Sequence, residues 1–166
     1  NIPPLIENLD ACYGEYIKEI IIVDDNSRDG TAKVTKTLAE KDPRIRLVQR
    51  SMPNGVGRAL RDGFAAAEGD FVLTMDCDFQ HIIPDLTGLF DAVAKGADVA
   101  IGSRFSRESV LLNYAFTKIL ANRGFHILAN FLLGKRFRDV TNNLKLMRKE
   151  VLKNLVLEAD DFAANA

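Results

Sequence analysis

The chain has 166 residues, 47 % hydrophobic and 27 % charged, enough for one domain with a core and ordinary for a soluble globular protein. Its two cysteines, Cys12 and Cys77, lie far apart and make neither a disulfide framework nor a metal spacing. No signal peptide, internal repeat or run of 18 apolar residues is present, which excludes a transmembrane helix in these residues. The net charge of −1 hides an asymmetry: Arg104 to Lys153 holds eleven Lys or Arg against three Asp or Glu. That basic segment is suited to something anionic: a pyrophosphate, a phospholipid surface or nucleic acid. The plainer reading is a solvated basic helix face.

In chain order, Pro3 and Pro4 predict a helix over 3–13, since proline is tolerated in a first turn. Residues 18–23, Lys-Glu-Ile-Ile-Ile-Val, predict a β-branched strand buried on both faces. Asp24–Gly30 is rich in turn formers, and a helix follows over Thr31–Glu40 with Asp29 or Thr31 near its cap. Arg44–Gln49 reads as a second strand and Ser51–Gly57 as a loop. Gly55 and Gly57 there allow a tight turn or a close backbone approach. A helix at 58–67, a strand at 71–75, a helix at 85–95 opened by Pro84 and a strand at Asp98–Ile101 complete the first hundred residues. This alternation predicts an α/β fold with a mostly parallel central sheet flanked by helices, and a ligand site beyond the strands' carboxyl ends. Asp24 and Asp25, Asp76 and Asp78, and Ser103 and Arg104 all fall at such ends. Residues 110–133 read as one or two helices that close the domain or lean an apolar face on a membrane. Residues 144–155 read as mixed helix or strand.

The strand at 71–75 runs into Met75-Asp-Cys-Asp-Phe-Gln-His81. In an extended segment residues i and i+2 point to one side, which would pair the Asp76 and Asp78 carboxylates, with Gln80 able to add a third oxygen. Oxygen-only ligands suit a hard divalent ion, Mg²⁺ or Mn²⁺, which can clamp a substrate's phosphates. A strand running into an ordinary polar loop would look the same.

Ile21-Ile-Val-Asp-Asp25 and Leu73-Thr-Met-Asp76 also resemble the acidic pair and phosphoacceptor of a response-regulator receiver. Against that stand a helix ahead of the acidic pair, the lack of a later Lys-Pro pair after a strand, and the basic segment. The ordered set Ile22–Thr31, Asn54-Gly-Val-Gly-Arg-Ala-Leu60, Gly69-Asp70, Met75–His81, Gly102-Ser-Arg104 and Arg138-Asp-Val-Thr141 instead resembles glycosyltransferase family 2. Within it, the polyprenyl-phosphate branch that includes dolichyl-phosphate mannose synthases is the closer likeness. The resemblance covers residues 20 to about 150.

The resemblance implies a GT-A, Rossmann-like nucleotide-sugar-binding domain and a metal-dependent, inverting hexosyl transfer. The donor would be GDP-mannose or a UDP-sugar and the acceptor a polyprenyl or dolichyl phosphate, at the cytoplasmic face of a membrane and with no nucleic acid involved. A saccharide acceptor, or a non-catalytic sugar-nucleotide-binding module, are the alternatives. It places Asp24, Asp25, Asn54 and Gly55 at the donor, Asp76, Asp78 and Gln80 on the Mg²⁺ or Mn²⁺ ion, and Arg104, Arg123 and Arg138 on phosphates. Asp139 would be a base only for a hydroxyl acceptor. Two departures stand out. The family begins with a strand and a Pro-x-Tyr-Asn-Glu-like loop, so residues 1–166 are expected to be one catalytic domain lacking its first strand and its C-terminal part. The family's usual Thr-Ser-Gly-Phe is here Thr141-Asn-Asn-Leu144, which bears on the acceptor side.

Overall fold

A computed structural model of the chain describes residues 1–78, 83–102, 124, 125, 127, 128, 131, 142–155 and 158–160. Helix α1 spans Ile2–Tyr13, with its prolines in the first turn, where the missing N–H groups cost nothing. It buries Ile2, Leu5 and Ile6, the i, i+3, i+4 stripe of an amphipathic helix, and Ile2 and Ile6 join Ile45 in one core cluster. Strand β1 is Ile20–Asp24, α2 is Thr31–Ala39 and β2 is Ile45–Gln49. The two strands are parallel, with Ile20 opposite Ile45 and Asp24 opposite Gln49. Ile20 to Val23 are only half-buried, not buried on both faces as the apolar run suggests. Among the described residues β1 has a strand partner on one edge only.

Helix α3 is Val56–Ala66, β3 Phe71–Thr74, α4 Thr87–Ala94, β4 Val99–Ile101 and β5 Lys145–Arg148, followed by a short helix at Lys149–Lys153. Residues 144–155 therefore resolve into strand first and helix second. Strand β5 lies between β3 and β4 and is antiparallel to both, so β3 and β4 run in the same direction. Helix α3 packs on β1, where Gly63 leaves room for the Val23 methyl group, and α4 packs on β4 and β5. The second core gathers Leu86, Leu89, Ala100, Leu144 and Leu146, with Tyr13 and Phe90 against it.

Helix α4 starts two residues later than Pro84 suggests, and the reason is local. Asp85 accepts hydrogen bonds from the Thr87 N–H at 2.9 Å and its hydroxyl at 2.7 Å. Asp29 does the same for Thr31 ahead of α2, at 3.0 and 2.6 Å. In both an Asp-x-Thr turn satisfies an N–H that a helix start would leave open.

Candidate active site

The carboxyl ends of β1 and β2 carry one polar cluster. Asp24, the last residue of β1, is 2 % exposed. Its Oδ1 accepts the Ser27 N–H at 3.2 Å, whereas its Oδ2 is buried with no hydrogen-bond partner among the described residues. An orphaned buried carboxylate oxygen is costly and marks a place where an arriving N–H or O–H donor would be welcome. Asp25 is already engaged. One oxygen is paired with the Arg50 guanidinium and the other accepts the Gly55 N–H at 2.6 Å. Arg50 follows β2, is nearly buried, and also bonds Asp62 of α3 at 2.6 Å. The hydrogen bond to Asp62, with the negative charges of Asp25 and Asp62, raises the Arg50 pKa against the opposing effect of burial. Asn54 is exposed beside Gly55.

Gly55 and Gly57 meet the close approach anticipated for them. The Gly57 N–H donates to the Asp160 carbonyl at 3.1 Å, and a Cβ on Gly55 would run into that same carbonyl. The Asp160 carboxylate pairs with Arg58 and Arg61 on the first turns of α3. Sequence reasoning missed Arg50, Arg58, Arg61 and Asp160. The two arginines three residues apart on one helix were the available signal for an anion there.

The second cluster lies at the ends of β3 and β4. Strand β3 stops at Thr74, and Cys77 and Asp78 form a turn, so the extended alternation expected to align Asp76 with Asp78 does not reach them. Both aspartates are exposed. Asp76 Oδ1 accepts the Asn143 side-chain amide at 2.7 Å. Asn142 is almost buried: its amide donates to the Gly102 carbonyl at 2.6 Å, and its own oxygen accepts the Leu144 N–H at 3.3 Å. Desolvation of the thiol, and then the charges of Asp76 and Asp78, push the Cys77 pKa up. Among the described residues no three His, Cys, Asp or Glu converge on a metal site. Two exposed carboxylates, one already oriented by an amide, still match the oxygen chemistry of a hard cation that keeps waters. Gln80, Arg104, Arg123, Arg138 and Asp139 lie outside the described residues.

The profile of glycosyl transferase family 2 matches residues 1–156. The chain belongs to that family. A polyprenol monophosphomannose synthase of Mycolicibacterium smegmatis is 36 % identical over 146 residues, 86 % of this chain and 55 % of that protein. A dolichol-phosphate mannosyltransferase of Pyrococcus furiosus is 30 % identical over 164 residues, 98 % of this chain and 46 % of that protein. This family 2 chain thus spans about half the length of the curated relatives it matches. Glucosyl-3-phosphoglycerate synthase from Mycobacterium tuberculosis, solved with uridine diphosphate, aligns with a TM-score of 0.65 at 18 % identity. That alignment covers 97 % of this chain and 57 % of the other. The likeness is one of fold, the GT-A fold, and it sets aside the receiver reading of the acidic pairs.

Proposed function

We propose that the chain carries the catalytic domain of a metal-dependent, inverting glycosyltransferase that moves a hexose from GDP-mannose or a UDP-sugar to a polyprenyl or dolichyl phosphate. The observation that carries this reading is the match, over most of the chain, to relatives named for mannosyl transfer to polyprenol and dolichol phosphate. The domain would take a further strand beside β1 and β3, each of which pairs along one edge only among the described residues. A C-terminal part would follow, as the greater length of the relatives supports.

In the proposed reaction an oxygen of the lipid phosphate attacks the anomeric carbon. The bond from that carbon to the diphosphate oxygen breaks, and its electron pair leaves with the nucleoside diphosphate. A lipid phosphate is already ionised at neutral pH, so no general base is required, and the protein's contribution is positioning and charge stabilisation. Asp24 offers its unpartnered oxygen to the donor's base or ribose. Asp25 holds the Asn54–Gly57 loop through the Gly55 N–H. Asp76, Asp78 and Gln80 would hold Mg²⁺ or Mn²⁺, which would supply positive charge to offset that of the diphosphate. Arg104, Arg123 and Arg138 would bind phosphate oxygens, for which guanidinium geometry is suited. Asp139 is needed as a base only with a hydroxyl acceptor. Helical residues Ile127, Leu128 and Phe131, within the basic stretch of the sequence, are well exposed, and they support an apolar face set on a membrane surface. No helix among the described residues is long and apolar enough to cross a membrane.

The test is sugar transfer by the full-length protein to a polyprenyl phosphate and to a soluble saccharide. Transfer to the lipid phosphate, lost in Asp76→Asn with folding intact, is the expected result. Transfer to the saccharide alone would replace the lipid acceptor, and no transfer to either would make the domain a binding module.

A further inference from the structure

We propose that Asn143 is a positioning residue for Asp76: its side-chain amide fixes one carboxylate oxygen and so orients the other as a ligand for a divalent cation. This rests on the transferase reading above and adds a residue to its site.

The register of the sheet explains why the two side chains meet. Strand β5 is antiparallel to β3, with Phe71 opposite Arg148 and Thr74 opposite Lys145. The latter is the last pair of the ladder; Asp76 and Asn143 each lie two residues past it, where the two segments leave the sheet as neighbours. The observed distance from the Asn143 amide nitrogen to Asp76 Oδ1 is 2.7 Å.

The Asn143 backbone is held without help from its side chain. Its carbonyl accepts the Thr74 hydroxyl, so the end of β3 grips the residue that reaches back to Asp76. On one side the Asn142 amide is bonded to the Gly102 carbonyl, and on the other the Leu144 carbonyl accepts the Gly102 N–H at 2.9 Å. The segment 142–144 is thereby tied to the ends of both β3 and β4. A side chain projecting from so well-anchored a backbone can set the orientation of an exposed carboxylate that would otherwise rotate freely.

The chemistry is that of an outer partner orienting a ligand. A carboxylate that accepts an amide N–H on one oxygen keeps acceptor capacity on the other, and its plane is fixed relative to the strand end.

The experiment is calorimetric titration of Mn²⁺ into the full-length protein with GDP or UDP present, alongside metal-free nucleotide titration and thermal unfolding. Asn143→Leu removes the donor; Asn143→Gln keeps an amide within reach. Loss of one hydrogen bond to an exposed carboxylate predicts a Mn²⁺ dissociation constant raised about three- to tenfold in Asn143→Leu. Metal-free nucleotide binding and melting temperature should not change, and Asn143→Gln should recover most of the loss. If Asn143→Leu does not fold, Asn143→Ser, too short to reach Asp76, carries the same expectation. Equal Mn²⁺ affinity in wild type and the donor-less variant overturns the role of Asn143 alone, as does an equal loss in the leucine and glutamine variants. Absence of Mn²⁺ binding by the wild type overturns this role together with the metal-dependent reading.

Discussion

The Asp25 carboxylate accepts the backbone N–H of Gly55 at 2.6 Å, a hydrogen bond that joins the end of β1 to the start of α3. Arg50, from the end of β2, closes the same cluster by pairing with Asp25 and Asp62. Three chain segments therefore meet at one carboxylate, and the loop that carries Asn54 is fixed from beneath.

Replacing Asp25 with Ala removes two acceptors at once. Arg50, whose side chain is 10 % exposed, would keep Asp62 and the Pro53 carbonyl but lose Asp25, and the Gly55 N–H would lose its acceptor. The expected cost is about 1–3 kcal/mol in urea unfolding, the range for leaving such groups unsatisfied. Unchanged stability would show that water replaces the carboxylate without loss.

Gly55→Ala should be poorly tolerated for a different reason. The added Cβ would meet the Asp160 carbonyl, backbone against backbone, and φ of +154° at Gly55 is unfavourable for a side chain. A loss of about 1–3 kcal/mol, as for overpacking, is expected in urea unfolding. Faster hydrogen exchange at the Gly57 amide, whose acceptor is that carbonyl, should accompany it.

Tyr13 holds α1 to the segment that precedes α4. Its hydroxyl donates to the Pro84 carbonyl at 3.3 Å and accepts the Leu86 N–H at 3.0 Å, while its ring packs edge-on against Phe90. Tyr13→Phe keeps the ring contact and strands the N–H of Leu86, a residue only 1 % exposed. Denaturant unfolding should show a loss of about 1–3 kcal/mol.

The Asp160 contact with α3 should be sensitive to acid. The hydrogen bond from Arg61 holds the Asp160 carboxyl below its ordinary value against the opposing effect of burial, helped by the charges of Arg58 and Arg61. A carboxyl depressed in the folded state contributes stability that is complete above its unfolded pKa, roughly 3.9, and disappears as pH falls through the lower folded value. The stability difference between wild type and Asp160→Asn should therefore be constant near neutrality and vanish as pH drops below that range. A difference that persists to the lowest pH would mean that the carboxylate charge is not what holds the contact.

The strands and helices up to β4 were legible because each has its own short-range signal: prolines in the first turn of α1, the Ile-Ile-Ile-Val run of β1, and turn residues between them. Boundaries slipped where a side chain competed with the backbone, as Asp85 does ahead of α4. The place of β5 between β3 and β4 was not legible, since an antiparallel insertion depends on pairing across more than forty residues of chain. The same holds within the site. Asp24, Asp25 and Asp76 announced themselves as polar residues at strand ends, but the partners that fix their roles come from afar. Arg50 is adjacent to β2, Asn143 leads into β5, and Asp160 lies 102 residues from Arg58. Nor could spacing alone separate Asp24, with an oxygen left unpartnered, from Asp25, with both oxygens engaged.

Calorimetry of GDP and UDP binding to the full-length protein, with Mn²⁺ and then with a chelator, bears most directly on a metal-dependent nucleotide-sugar transferase. The expected result is binding of one of the two nucleotides in Mn²⁺ that weakens strongly in chelator. Binding of neither nucleotide, or equal binding with and without the metal, would contradict it.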